Sequence, residues 1–146
     1  MTNILNKKRK KKGFTLIELV IVLAVLAIIA LIAIPNFTKI RNDSLTKADK
    51  ETANQIRKIA LMAIADGDIA ATASEYKVTF DGNGKVTGLS PTPVNNKDVK
   101  EMMKEVKEPQ VNGKSSYVIK VSGDASVSVG YSKATGNGFD GATLSE

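Results

Sequence analysis

Residues 14–34 read FTLIELVIVLAVLAIIALIAI, 21 residues with a single charge, Glu18. As a helix this run rises about 31 Å at ~1.5 Å per residue, which matches the ~30 Å hydrocarbon core of a bilayer. It is apolar around the whole circumference, whereas a surface helix of a soluble domain keeps one side polar. No other stretch of the chain is comparable. The segment therefore reads as membrane-spanning. Six basic residues, Lys7, Lys8, Arg9, Lys10, Lys11 and Lys12, abut its amino-terminal end with no acid among them. That run keeps the end in the cytoplasm and places everything after Ile34 outside.

The same six residues account for the chain's charge. There are 21 Lys and Arg against 15 Asp and Glu, a formal charge of +6, so the rest of the chain holds 15 of each sign. A nucleic-acid-binding domain needs a basic face spread over its fold, and this body is neutral. The few aromatics, Tyr76, Phe80, Tyr117, Tyr131 and Phe139, read as core or sheet residues, and no nucleic-acid site is evident. The chain has no Cys and no His. This excludes disulfides, thiol nucleophiles, imidazole acid–base chemistry and His or Cys metal sites. No glycine loop follows a strand and opens a helix to cradle phosphate, and no spacing marks an activated nucleophile. The expectation is a protein that is not an enzyme, with no cofactor and no metal. Asp124 and Asp140 lie near glycines as a calcium site would require, but without EF-hand spacing they read as turn residues.

The apolar run departs from a secretory signal. Pro35-Asn36-Phe37-Thr38 follows it, with no small-x-small cleavage site. The one sharp small residue at a boundary is Gly13, between the lysines and Phe14. A cut there removes the charges and leaves the apolar helix on the protein, the reverse of ordinary signal removal. Lys12-Gly13-Phe14-Thr15-Leu16-Ile17-Glu18, then the apolar run and Pro35, resembles a type IV prepilin over roughly the first 37 residues. The resemblance implies cleavage between Gly13 and Phe14 by a prepilin peptidase, which also N-methylates Phe14. It implies polymerisation into a filament with the apolar helices at its core. The implied partners are copies of the chain, other pilins, a pilus assembly platform and its ATPase, and membrane lipid before assembly. Implied filament roles are cell adhesion, twitching motility and biofilm. A pseudopilin of a type II secretion or competence system shares this amino terminus. A membrane-anchored binding protein that keeps residues 7–13 is the rival of another class. The implied location is single-pass membrane protein first and cell-surface pilus (fimbrium) afterwards. The missing carboxy-terminal disulfide loop points to a Gram-positive bacterium.

A carboxylate near a membrane core costs about 2.5–3.5 kcal/mol at the helix centre, so Glu18 has to be explained. Near the helix end it can snorkel to the cytoplasmic surface. Cleavage at Gly13 also creates a cation, the Phe14 amine. That amine can pair with Glu18 of a neighbouring subunit and fix axial register, or with Glu18 of its own chain four residues on. Ala24, Ala27, Ala30 and Ala33 form a small-residue track that would let neighbouring helices approach. Pro35 cannot donate to the Leu31 carbonyl and is expected to bend or loosen the helix in assembly.

Beyond Pro35 the helix continues. Leu45, Ala48, Thr52, Ile56, Ile59 and Ala63 share one side of a 3.6-residue wheel, opposite Asp43, Lys47, Lys50, Asn54, Arg57 and Lys58. An amphipathic helix from Asn36 to Ala65 ends at Asp66-Gly67. Tyr76–Phe80 and Lys85–Leu89 form a hairpin around Asp81-Gly82-Asn83-Gly84. Asp98 and Glu101 have capping-box spacing at a short helix that Pro109 stops. Strands at 117–121 and 125–132 form a second hairpin with its serine face toward water, and residues 133–146 are a final edge strand or a loose end. The expected fold is α+β, a long N-terminal helix packed on a small four-stranded antiparallel sheet. The organisation is a basic leader 1–13, a membrane and filament-core helix 14–35, its amphipathic continuation 36–66 and a globular head 67–146.

Overall fold

The computed structural model describes residues 13–133 and 138–145. The basic leader run, and residues 134–137 and 146 of the tail, lie outside the described residues. The chain divides into two compact units between Ile40 and Arg41. Helix α1, Leu16–Ala65, contributes to both and contains Pro35.

In the first unit none of the described residues packs on α1. Every described residue from Gly13 to Ile40 is exposed except the half-buried Ala30. The exposed set includes Leu16, Ile29, Leu31, Phe37 and Ile40. The helix continues through Pro35, and the Thr38 hydroxyl donates to the Pro35 carbonyl at 2.9 Å.

In the second unit α1 buries one stripe, Asp49, Ala53, Ile56, Ala60 and Ala63. The alternating four- and three-residue spacing keeps these on one side of a helix. The stripe is rotated from the expected one. Ile56 and Ala63 are buried as expected, but Ala48 is exposed and Leu45, Thr52 and Ile59 are only half-buried. The small Ala53 and Ala60 side chains admit the sheet closely, and Asp49 is drawn in by hydrogen-bond donors. A stripe weighted by side-chain size misses both effects. Arg57, expected on the water side, is half-buried and donates from Nε to the Val127 carbonyl at 2.9 Å.

Helix α1 ends as the Asp66-Gly67 pair predicts. Gly67 has φ +82°. Its N–H bonds the Ile64 carbonyl at 3.1 Å, and the Asp68 N–H bonds the Ala63 carbonyl at 2.8 Å. This is a Schellman stop, whose left-handed residue is best made by glycine.

The head is a five-stranded antiparallel sheet of order β2-β1-β3-β4-β5. Its strands are β1 (Ser74–Phe80), β2 (Val86–Ser90), β3 (Tyr117–Val121), β4 (Val127–Ser132) and β5 (Phe139–Thr143). Strands β1 and β3 pair, so the two hairpins lie side by side. The four-stranded expectation is corrected by β5, which pairs with β4 through Ser132↔Phe139 and Gly130↔Thr143. The serine face of β4 is corrected with it. Ser132 is buried and Ser128 half-buried, and a Cβ on Gly130 would meet the Phe139 ring at 3.3 Å.

Alternate residues Tyr76, Val78, Tyr117, Ile119, Val129 and Tyr131 join Ile56, Ala60 and Ile69 in one apolar core. Each large aliphatic side chain buried there contributes about 1.5–3 kcal/mol. Helix α2, Asn96–Met102, begins two residues before Asp98, and Asn95 at its N-cap makes no side-chain cap bond. The capping-box reading of Asp98 and Glu101 is therefore corrected: Asp98 accepts from the Asn95 amide, and Glu101 pairs with Lys104 at 3.0 Å. The helix stops at Met102, well ahead of the buried Pro109. Asn96 fastens α2 to β2, its Oδ1 accepting the Leu89 N–H at 3.3 Å. The approach is so close that a Cβ on Gly88, whose φ is +152°, would lie 2.7 Å from that oxygen.

Candidate processing and assembly site

Gly13 and Phe14 precede the first turn of α1. Phe14 is 93% exposed, and a Cβ on Gly13 would meet nothing within 4 Å among the described residues. Thr15 is the N-cap, immediately before the first helical residue Leu16. Its N–H donates to Glu18 Oε2 at 2.9 Å, its hydroxyl donates to the same oxygen at 2.8 Å, and its Oγ1 accepts the Glu18 N–H at 3.3 Å. This reciprocal arrangement is a capping box, and it satisfies two donors that a helix end leaves orphaned. The signal was present in the sequence as Thr-x-x-Glu before an apolar run, and reading Glu18 only as a charge overlooks it. Oε1 of Glu18 has no hydrogen-bond donor among the described residues. The box needs only the Thr15 amide and hydroxyl, both of which survive a cut between Gly13 and Phe14. Glu18 thus caps its own helix and still has one oxygen to offer a cation. Pro35 lies inside α1, 17 residues beyond Glu18, and has no role in the cap.

A second carboxylate, which the sequence reading does not single out, lies on the other half of α1. Asp49 is completely buried. Its Oδ1 accepts the Gln110 N–H at 2.7 Å and the Tyr117 hydroxyl at 3.3 Å. Its Oδ2 accepts the Val111 N–H at 3.1 Å and the Tyr131 hydroxyl at 2.8 Å. Four donors compensate a charge taken out of water. The same site pushes both phenols above their usual range. For Tyr117 burial acts first and the Asp49 charge second, and for Tyr131 burial is followed by the hydrogen bond to Asp49. The two rings stack with centroids 6.1 Å apart, and the Lys114 ammonium sits 5.3 Å from the Tyr131 ring centre. Asp49 thereby ties the loop after α2, and strands β3 and β4, to the helix.

Neither aspartate considered for calcium is arranged for it. Asp124 accepts the Ser126 N–H at 3.1 Å within the β3–β4 turn, and Asp140 pairs with Lys114. Among the described residues no three acidic groups gather as a metal would need.

The amino-terminal segment matches a family model described as the prokaryotic N-terminal methylation motif, over residues 8–34. Prepilin peptidase-dependent protein A of Clostridium perfringens (strain 13 / Type A) is 32% identical over 105 residues, covering 71% of this chain and 74% of that protein. No solved structure matches the chain. The motif, the exposed helix long and apolar enough to cross a membrane, and the small antiparallel head together define an α+β protein of the class that carries an amino-terminal methylation motif. The chain belongs to the type IV pilin-like family.

Proposed function

We propose that the chain is a structural subunit of a type IV pilus, made as a precursor and cut between Gly13 and Phe14 by a prepilin peptidase that then methylates the Phe14 amine. The observation that carries this reading is the methylation motif at residues 8–34, joined to a helix whose apolar half is exposed on every side. The membrane covers that surface first, and the helices of other subunits cover it in the filament. The similarity to a prepilin peptidase-dependent protein supports the processing step. Glu18, its Oε2 held by Thr15, presents Oε1 to the amine of a neighbouring subunit and sets the axial register. Pro35 is where the rod yields as it packs. The head, residues 67–146, forms the outer surface of a filament that serves adhesion, twitching motility or biofilm. Growth is driven by a separate assembly platform and ATPase.

Mass spectrometry of the protein recovered from cells tests this. The expected amino terminus is Phe14, heavier by one methyl group, in sheared surface fibres. Recovery with residues 1–13 attached and no fibres overturns it. Immunogold imaging separates the pilus from a pseudopilus: labelled fibres extending well beyond the cell support the first, and label confined to the envelope supports the second.

A further inference from the structure

Immediately beyond the apolar run, α1 carries Phe37, Lys39, Ile40 and Arg41 in succession around Thr38. All are exposed, Phe37 at 69% and Ile40 at 63%. Neither cation takes part in an ion pair among the described residues. The first fully buried residue of α1 is Asp49, and none of the described residues covers this turn and a half of helix. Its position along the axis is informative. With Phe14 to Ile34 filling the hydrocarbon core, Lys39 and Arg41 lie about 7.5 and 10.5 Å further on, given ~1.5 Å per residue. A bilayer of about 40–45 Å with a ~30 Å core leaves headgroup layers of roughly 5–8 Å. Long basic side chains reach back into such a layer. The two apolar side chains beside them suit the same boundary, where apolar and polar solvents meet.

We propose that Lys39 and Arg41, with Phe37 and Ile40, bind the phosphate groups of anionic phospholipids on the outer face of the membrane and hold the subunit at a fixed depth. This rests on the membrane-anchored reading of the apolar helix. The chemistry recognised is a phosphodiester surface at an apolar boundary: two cations within three residues, flanked by an aromatic and an aliphatic side chain. The nearest acid on this stretch is Asp43.

The proposal gives the leader's removal a second consequence. Before the cut, the six cations of residues 7–12 flank the inner end of the apolar run, and Lys39 and Arg41 are the first two beyond its outer end. After it, the inner end keeps the Phe14 amine beside Glu18, whereas Lys39 and Arg41 remain. The balance of basic anchors reverses, and the surviving anchor lies on the side toward which a growing filament would draw the subunit.

The test uses the full chain reconstituted into phosphatidylcholine vesicles containing spin-labelled phosphatidylglycerol or spin-labelled phosphatidylcholine. The measured quantity is the ratio of the two lipids immobilised at the protein. The Lys39→Gln/Arg41→Gln protein is compared with the parent and with Lys47→Gln/Lys50→Gln. The latter removes the same charge from exposed positions about 20 Å or more beyond Ile34, given ~1.5 Å per residue, outside the headgroup layer. The leader is common to all three, so its own lipid binding cancels. The expected result is that Lys39→Gln/Arg41→Gln lowers the selectivity for phosphatidylglycerol at least twofold, whereas Lys47→Gln/Lys50→Gln leaves it at the parent value. Equal loss in both, loss only in the second, or loss in neither overturns the proposal. Failure of every version to enter vesicles overturns both the anchor and the membrane reading. Absence of cleavage or of fibres in cells leaves the lipid ratios unaltered, so failure of the pilus assignment is distinguishable.

Discussion

Helix α1 carries two carboxylates whose settings differ in almost every respect. Glu18 sits on a helix half that no other described element covers and is held by Thr15, three residues away. Asp49 is buried under the head and is held by Gln110, Val111, Tyr117 and Tyr131, between 61 and 82 residues away in sequence. The first is a local device and the second a tertiary one. A local partner keeps a carboxylate available for something else, here through Oε1. Four distant partners consume Asp49 entirely and turn it into a joint between helix and sheet.

The comparison can be broken by mutation. The largest effect is expected from Asp49→Ala, which leaves two half-buried backbone amides and two buried phenols without their acceptor. Each buried phenol left unpaired costs about 1–3 kcal/mol, so a loss of several kcal/mol of head stability is expected, read as a lowered urea midpoint of tyrosine fluorescence in the detergent-solubilised chain. Glu18→Ala in the same assay should leave that midpoint unchanged. If Glu18→Ala lowers it as far as Asp49→Ala does, the two settings are not separate. Next is Tyr131→Phe, which removes one donor to a charged group and should cost about 1.5–3 kcal/mol.

The phenols also give the contrast a pH signature. Both are held above the ordinary value, so the folded head keeps them neutral while an unfolded tyrosine ionises above about pH 10. Their contribution is full below that pH and is lost as pH rises toward the folded values. The parent head should therefore weaken progressively above pH 10, and Tyr131→Phe should flatten that decline in a series of urea midpoints. An unchanged slope would separate Tyr131 from the carboxylate.

At the other end, Thr15→Val removes the hydroxyl half of the cap and should cost about 1 kcal/mol of local helix stability. It should appear as faster amide exchange at Leu16 to Glu18 with no change in the head. The smallest effect is expected at the β1–β2 turn. Asp81 accepts the Lys85 and Asn83 N–H groups at 2.9 and 2.8 Å, and those two bonds, Lys85 first, hold its carboxyl below the usual range. Its contribution is present above the unfolded value of about 3.9 and fades as pH falls below it. Asp81→Asn should make the hairpin's amide exchange less sensitive to pH between 5 and 3.

What the sequence disclosed follows the same division. The apolar run, the end of α1 at Gly67 and both hairpins are encoded by neighbouring residues, and the structure has them where local chemistry puts them. The Thr15–Glu18 box was equally local and open to reading. The buried stripe was not, because Ala53 and Ala60 owe their burial to smallness and Asp49 owes its burial to partners that only the folded sheet supplies. The fifth strand was ambiguous for a similar reason: Phe139–Thr143 is short and holds Gly141, and its partner β4 identifies it as a strand. Within the candidate site, the family motif marked Gly13, Phe14 and Glu18, and the geometry adds Thr15.

The junction of α2 with β2 has a consequence for mutational tolerance. Gly88 holds a φ of +152° against the Asn96 side chain, so any other residue would strain the backbone and displace the amide that receives the Leu89 N–H. In a saturation library this position should reject nearly all nineteen replacements. The exposed Lys97, Lys100 and Glu101 of the adjoining helix should accept most of theirs. The outward side of that helix is thus free to diversify while one hidden atom's width beneath it is not.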